Sequence, residues 1–252
     1  QKSNTQHIAI HKFFFNLQPQ FDMDHKLRGF EALARMIDSD GNDIAPGEFV
    51  PIAETVGLID KIDSRVFDEA TKFIGRLVKQ TGFDGILSVN VSVRHLIKED
   101  FLEEVKSVLK KNGFPPTQLE VEITESIMID TESSAVQTIK ELKKMGIRIA
   151  IDDFGTGYSS LSYLTRIPAD LLKVDKSFID TMNSNDSSKQ YVASIISIGH
   201  IMNFDVISEG VEDSDQIDTL RDIGCDMIQG FIWGHPMTPE EAEKLVHQMM
   251  VV

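Results

Sequence analysis

The sequence predicts an α/β chain closed into a modified (β/α)8 TIM-type barrel that opens with an antiparallel β-hairpin. Three observations predict it. Short apolar runs alternate with amphipathic segments of helical period. About eight such runs fall within 252 residues, which suits closure into one barrel better than an open sheet. Nearly every run carries a polar or charged residue at or near its C-terminal end, the end that such barrels gather at one mouth. No glycine-rich dinucleotide fingerprint follows an early strand, which argues against an open doubly wound sheet.

The elements follow in chain order. FFFNLQPQF and LRGFEALARM flank a turn around Asp24 and His25 and predict the opening hairpin. ILSVNVS, LEVEIT, IRIAIDD, DLLKVD, FDVISEG and CDMIQG are the later strands. Apolar residues spaced three to four apart predict helices near 61–79, 99–111, 133–145, 187–202 and 213–223. Gly113, Gly146 and Gly224 mark helix ends just before the next strand. The polar run from Met182 to Ser188 is expected to be a flexible loop, too short to divide the chain, so residues 1–252 read as a single domain.

Bulk properties narrow the function classes. Apolar content of 41% supports a substantial core, and no run approaches the length of a membrane span. The formal charge of −15 would repel a DNA or RNA duplex and an anionic membrane surface. A small anionic ligand remains compatible where local cations cancel the charge. The single cysteine, Cys225, reads as a small core residue and suits a reducing compartment, which places the chain in the cytoplasm, free or as the cytoplasmic portion of a membrane-anchored protein. A start at Gln with no signal-peptide pattern is expected of a piece excised from a longer chain.

The strand ends supply Glu31, Asn90, Glu122, Asp152 with Asp153, Lys173, Glu209 and Gln229. Any one of them alone reads as a solvated strand end or a cap. Converging together, the five carboxylates and Asn90 are oxygen ligands, and the carboxylates would repel one another unless a cation joined them. Hard divalent ions such as Mg²⁺ or Mn²⁺ fit that set, and the absence of histidine from it disfavours zinc. Adjacent carboxylates such as Asp152 and Asp153 would let one residue bridge two ions, which at a separation of about 4 Å suit attack on a phosphate ester.

These motifs resemble the EAL-domain phosphodiesterases of bacterial cyclic di-GMP signalling. The signature Glu31-Ala32-Leu33 stands in GFEALAR. NVS, EVEITES, DDFGTGYSSL, LLKVDKSFI, SEGVE and IQG follow in the family's order. Each motif is short, but together they span most of the chain. The resemblance implies the modified barrel and hydrolysis of cyclic di-GMP to linear pGpG with a pair of Mg²⁺ or Mn²⁺ ions. It implies Glu31, Asn90, Glu122 and Asp152 around one ion, with Asp152 shared with a second ion on the side of Asp153. Lys173, Glu209 and Gln229 would act on the water or its proton, with Glu209 as either base or ligand. Leu33 and Arg35 would contact substrate, and Glu125 would pin the DFGTG loop. A member that only binds the dinucleotide would be expected to lack the signature glutamate, the aspartate pair or the loop glutamate, and all are present.

The resemblance also implies a homodimer paired through the segment from Tyr158 to Leu164, and regulatory or sensory domains in the full-length chain. Met36, Ser208 and His235 depart from the family's usual tryptophan, alanine and basic residue, and put affinity in question more than activity. Trp233 reads as core packing ahead of a guanine contact.

Overall fold

The computed structural model describes residues 13–125, 133–156 and 164–250. The chain opens with β1 (Phe13–Asp22) and β2 (Leu27–Ile37), an antiparallel hairpin in which Phe13 faces Met36 and Gln18 faces Glu31. The two-residue β3 (Asp43–Ile44) extends β2 at its edge. Parallel strands follow: β4 (Ile86–Asn90), β5 (Leu119–Thr124), β6 (Arg148–Phe154), β7 (Leu171–Val174), β8 (Asp205–Glu209) and β9 (Met227–Gln229). The order β1-β9-β8-β7-β6-β5-β4-β2 closes through the β1–β2 pairing. β1 runs antiparallel to both of its neighbours, which is the modification of the barrel.

Helices coat the outside: α1 (Pro46–Val56), α2 (Ile59–Thr81), α3 (Val93–Leu96), α4 (Phe101–Asn112), α5 (Ser133–Lys144), α6 (Lys176–Thr181), α7 (Asp186–Ile201), α8 (Ser214–Asp222) and α9 (Pro239–Met249). α2 buries Ile62, Val66, Ala70, Ile74 and Leu77 on one stripe, the apolar face that its period predicts. α4 ends at Gly113, whose φ of 61° is a left-handed cap open to glycine without penalty. Gly29 serves a different need. A side chain there would begin 1.9 Å from the Ile86 carbonyl oxygen, so β2 and β4 pair this closely only without one.

The structure departs from the sequence expectation at several segments. α1, α3, α6, α9 and the short β3 lie outside the predicted elements, although Pro at the first turn of α1 and α9 and the Thr238–Glu241 capping box of α9 are start signals. The run from Met182 to Ser188 is not a loose loop. It forms a 3-10 turn over Met182–Ser184 and enters α7, because Met182 is fully buried and Asn185 caps the helix through Ser188 N–H.

The main apolar core lies between the barrel's outer face and the helices. Inside the barrel, Ala150, Leu171, Ile207 and Met227 form a small apolar plug on the β6–β9 side. Alternation along each strand puts the residue two positions further on at the mouth: Asp152, Lys173, Glu209 and Gln229. Cys225 is buried, and burial pushes its thiol up to about 11, so it is a core residue and not a nucleophile. No helix among the described residues is long and apolar enough to cross a membrane.

Candidate functional site

Strand register assembles the site. Asn90 pairs with Glu122 across β4 and β5, and Glu209 with Gln229 across β8 and β9. Lys173 enters from β7 and is fully buried among the carboxylates. Its Nζ lies 2.6 Å from Glu122 Oε2, 2.8 Å from Glu209 Oε1, 3.3 Å from Glu31 Oε2 and 3.4 Å from Asp152 Oδ1. Asn90 donates to Glu31 Oε1 at 2.6 Å, and Gln229 donates to Glu31 Oε2 at 2.7 Å. Seven strand-end residues chosen from the sequence thus form one connected network.

The carboxylates divide by environment. Burial opposes the charge of Glu31, but the Lys173 ammonium and the amides of Gln229 and Asn90 outweigh it and hold its pKa low. Burial, with repulsion from Glu31, pushes Glu122 well above the carboxylate range, and Lys173 offsets only part of this. Burial raises Asp152 against the pull of Lys173, and takes Glu209 up to about 8. Burial would lower Lys173, yet Asp152, Glu122, Glu209 and Glu31 together hold it well above its usual value. One ammonium therefore does not balance the charge of the ring, and a further cation would offset the repulsion that remains.

Asp153 is placed by backbone strain. The β6–β7 register breaks between Ile151 and Phe154, and Asp153 takes φ 56°, the left-handed region that side chains other than Asn, Asp and Gly seldom visit. The kink sets a ligand oxygen of Asp153 with one from Asp152 and one from Glu209, all within 4.8 Å of one another. Burial, with repulsion from Asp152, raises Asp153 to about 6. Glu125 stands apart from the ring. Its Oε2 accepts the N–H of Gly155 at 2.9 Å, holding the first glycine of the DFGTG loop.

The donor set fits a hard divalent cation. Glu122 Oε1 is buried with no hydrogen-bond partner among the described residues, an orphan acceptor facing other carboxylates. Together with the Asp152–Asp153–Glu209 group, this gives the ring carboxylate oxygens that a cation would join.

A cavity of about 580 Å³ opens beside the ring. Leu33, Arg35, Asn90 and Glu122 line its inner side, and Pro46, Val50 and Glu54 of α1 line another. Asp63, Ser92 and Arg94 complete the far wall; the sequence reading missed them. Asp63 sits within α2, where a charge every few residues looks like a solvated face. Its Oδ2 accepts from Ser92 N–H at 3.0 Å and Ser92 Oγ at 2.7 Å. Behind it, His95 Nδ1 lies 3.6 Å from the same oxygen, an ion-pair distance and not a hydrogen bond, while its Nε2 meets Glu104 at 3.1 Å.

The three departures lie outside this cavity. Met36 lines a neighbouring apolar groove, Ser208 is buried in β8 against Cys225, and His235 stacks on Phe231 at 4.2 Å. Trp233 packs on Phe21 and His25 near the β1–β2 turn, and does not line the cavity. Of the expected pairing segment, residues 158–163 lie outside the described residues, and Leu164 is buried in the monomer's own core.

Comparison with known proteins agrees with this architecture. The family profile described as "EAL domain" matches residues 2–236. The signaling protein YkoW of Bacillus subtilis is 42% identical over 240 residues, covering 95% of this chain and 30% of YkoW. The bifunctional diguanylate cyclase/cyclic di-GMP phosphodiesterase MucR of Pseudomonas aeruginosa is 36% identical over 213 residues, 84% of this chain and 31% of MucR. A solved structure described as the PaMucR phosphodiesterase in complex with c-di-GMP superposes with a TM-score of 0.89 at 33% identity, covering 96% of this chain and 98% of that one. The chain spans about a third of the length of these curated relatives. With the signature Glu31-Ala32-Leu33 at the mouth of a closed barrel and a profile match across most of its length, this chain belongs to the EAL domain family.

Proposed function

We propose that this chain is a metal-dependent phosphodiesterase that hydrolyses cyclic di-GMP to linear pGpG in bacterial second-messenger signalling. The observation that carries the reading is the meeting of four carboxylates on Lys173 Nζ, with an orphaned Glu122 oxygen, beside a cavity that presents Arg35. The relative named as a cyclic di-GMP phosphodiesterase, and the solved complex of its domain, support the substrate.

Glu31, Asn90, Glu122 and Asp152 would hold one Mg²⁺ or Mn²⁺, and Asp152, Asp153 and Glu209 a second. Bound there, such ions supply Lewis-acid stabilisation of the phosphate and a water of lowered pKa. Lys173 holds positive charge at the centre and would orient the attacking water. Gln229 would direct that water through its amide, and Glu209 would take its proton or complete the ligand set. Arg35 would grip a phosphate oxygen with its guanidinium, and Leu33 would cover the adjoining ribose or base. Asp63, which lines the cavity, would accept from the donor edge of one guanine. The water oxygen bonds to one phosphorus, the 3′-oxygen leaves and takes up a proton, and the ring opens once.

The test is to incubate the chain with cyclic di-GMP and Mg²⁺ and to identify the first product. pGpG is expected, and GMP appearing first with no pGpG would overturn the reading. A homodimer paired near residues 158–164, upstream sensory domains and a cytoplasmic setting belong to the same proposal.

A further inference from the structure

A buried file of polar side chains joins the base of the barrel to the carboxylate ring. At its lower end Glu120, fully buried, accepts both Arg28 Nη1 at 3.0 Å and Nη2 at 2.6 Å, and also Ser88 Oγ at 2.8 Å. The same Arg28 Nη1 donates to Gln20 Oε1 at 2.5 Å. Gln20 Nε2 donates to Gln229 Oε1 at 2.9 Å. Gln229 Nε2 then donates to Glu31 Oε2 at 2.7 Å and to Gln18 Oε1 at 3.2 Å.

The chemistry of the two ends dictates the direction of the file. A guanidinium offers only donors, and an ionised carboxylate only acceptors. Two amides placed between them have a single arrangement that satisfies every contact. Were Gln20 reversed, its NH2 would face the guanidinium. Were Gln229 reversed, its carbonyl oxygen would face Glu31. At this depth a barrel is ordinarily filled by apolar side chains, as Ala150, Leu171, Ile207 and Met227 fill the other half here. A polar filling costs desolvation that only a fully made network offsets.

We propose that Gln20, oriented by the Arg28–Glu120 pair, is a positioning residue that locks the Gln229 amide with its NH2 toward Glu31. Neither Gln20 nor Arg28 lines the cavity, so the effect reaches the reaction only through Gln229 and Glu31. The inference rests on the reading of those two residues as members of the reaction centre.

Gln20→Glu tests it at nearly constant shape. The new carboxylate still pairs with Arg28 but cannot donate, so Gln229 must turn its NH2 away from Glu31. The Mn²⁺-loaded enzyme is assayed for kcat and KM on cyclic di-GMP, Mn²⁺ affinity of the metal-free protein is measured by calorimetry, and folding is checked by thermal melting. The expected result is a folded protein with kcat and Mn²⁺ affinity each lower by about tenfold and KM little changed. Combined with Gln229→Ala, the kcat losses should not add, since both act on one contact. Gln20→Met, which removes donor and acceptor together, stands in if Gln20→Glu fails to fold, with the same loss expected. Wild-type kcat and Mn²⁺ affinity in a folded variant, or additive losses, overturn the proposal. If Gln229→Ala alone leaves kcat intact, the reading of Gln229 fails. The Mn²⁺ titration then decides the positioning effect on Glu31: a tenfold loss upholds it and no change overturns it.

Discussion

Lys173 Nζ lies 2.6 Å from Glu122 Oε2, while the other oxygen of that carboxylate has no hydrogen-bond partner among the described residues. One cation satisfies one oxygen, and the second oxygen is left facing its neighbours. A buried acceptor without a donor costs on the order of 1–3 kcal/mol, so the site is built to be completed.

The first prediction follows from that gap. Exhaustive chelation should abolish turnover, Mg²⁺ or Mn²⁺ should restore it, and Ca²⁺ should not, because its larger and looser shell suits these short-reach ligands poorly. Glu31→Ala should remove turnover while the thermal midpoint is kept, since Glu31 sits at the mouth and outside the apolar core. Full activity after chelation, measured by pGpG release, would sink the metal assignment.

The second concerns pH and stability away from the ring. Burial opposes the charge on His95, but Asp63 and Glu104 outweigh it and lift its pKa to about 9. A histidine whose folded pKa is raised binds its proton more tightly in the native state. Its contribution is complete below about 6.5 and is lost as pH rises through about 9. After allowance for solvent screening the contribution is on the order of 1–2 kcal/mol. Urea unfolding of the metal-free protein from pH 6 to 10 should show this decline, and His95→Gln should flatten it. An equal decline in the variant would assign the effect to other groups.

The third separates charge from backbone at Asp153, where φ is 56°. Asp153→Asn keeps a residue that tolerates the left-handed region and removes the charge. Asp153→Ala removes both, and should lower stability by about 1 kcal/mol relative to Asp153→Asn. Both should lose at least tenfold in kcat if the carboxylate serves a cation. Wild-type turnover in Asp153→Asn would limit the residue to shaping the loop.

The fourth concerns assembly. A homodimer coupled to Asp152 and Asp153 through the loop after them should show specific activity that falls on dilution, in step with mass measured by light scattering. A strict monomer with constant specific activity would end the pairing proposal and leave the phosphodiesterase reading standing.

The main strands, the longer helices and the polar residues at the strand ends are legible in the residue order alone. That is because strand alternation, helical period and the glycines after helices are local signals, and a barrel sends every strand end to one mouth. α1 escaped because its apolar residues follow a Pro-Gly start that reads as a loop. Tertiary structure alone decided which polar residues would be buried and whom they would meet. Glu120 and Glu122 share one face of β5, yet Glu122 meets Lys173 while Glu120 meets Arg28, 92 positions away in sequence. Gln20 and Gln229 meet across 209 positions through the antiparallel β1–β9 pairing. Asp63 and His95 come together because α2 packs beside the strand that leads into α3. Such contacts carry no local signature, since hydrogen bonds and ion pairs depend on distance in space, and only closure of the barrel sets those distances.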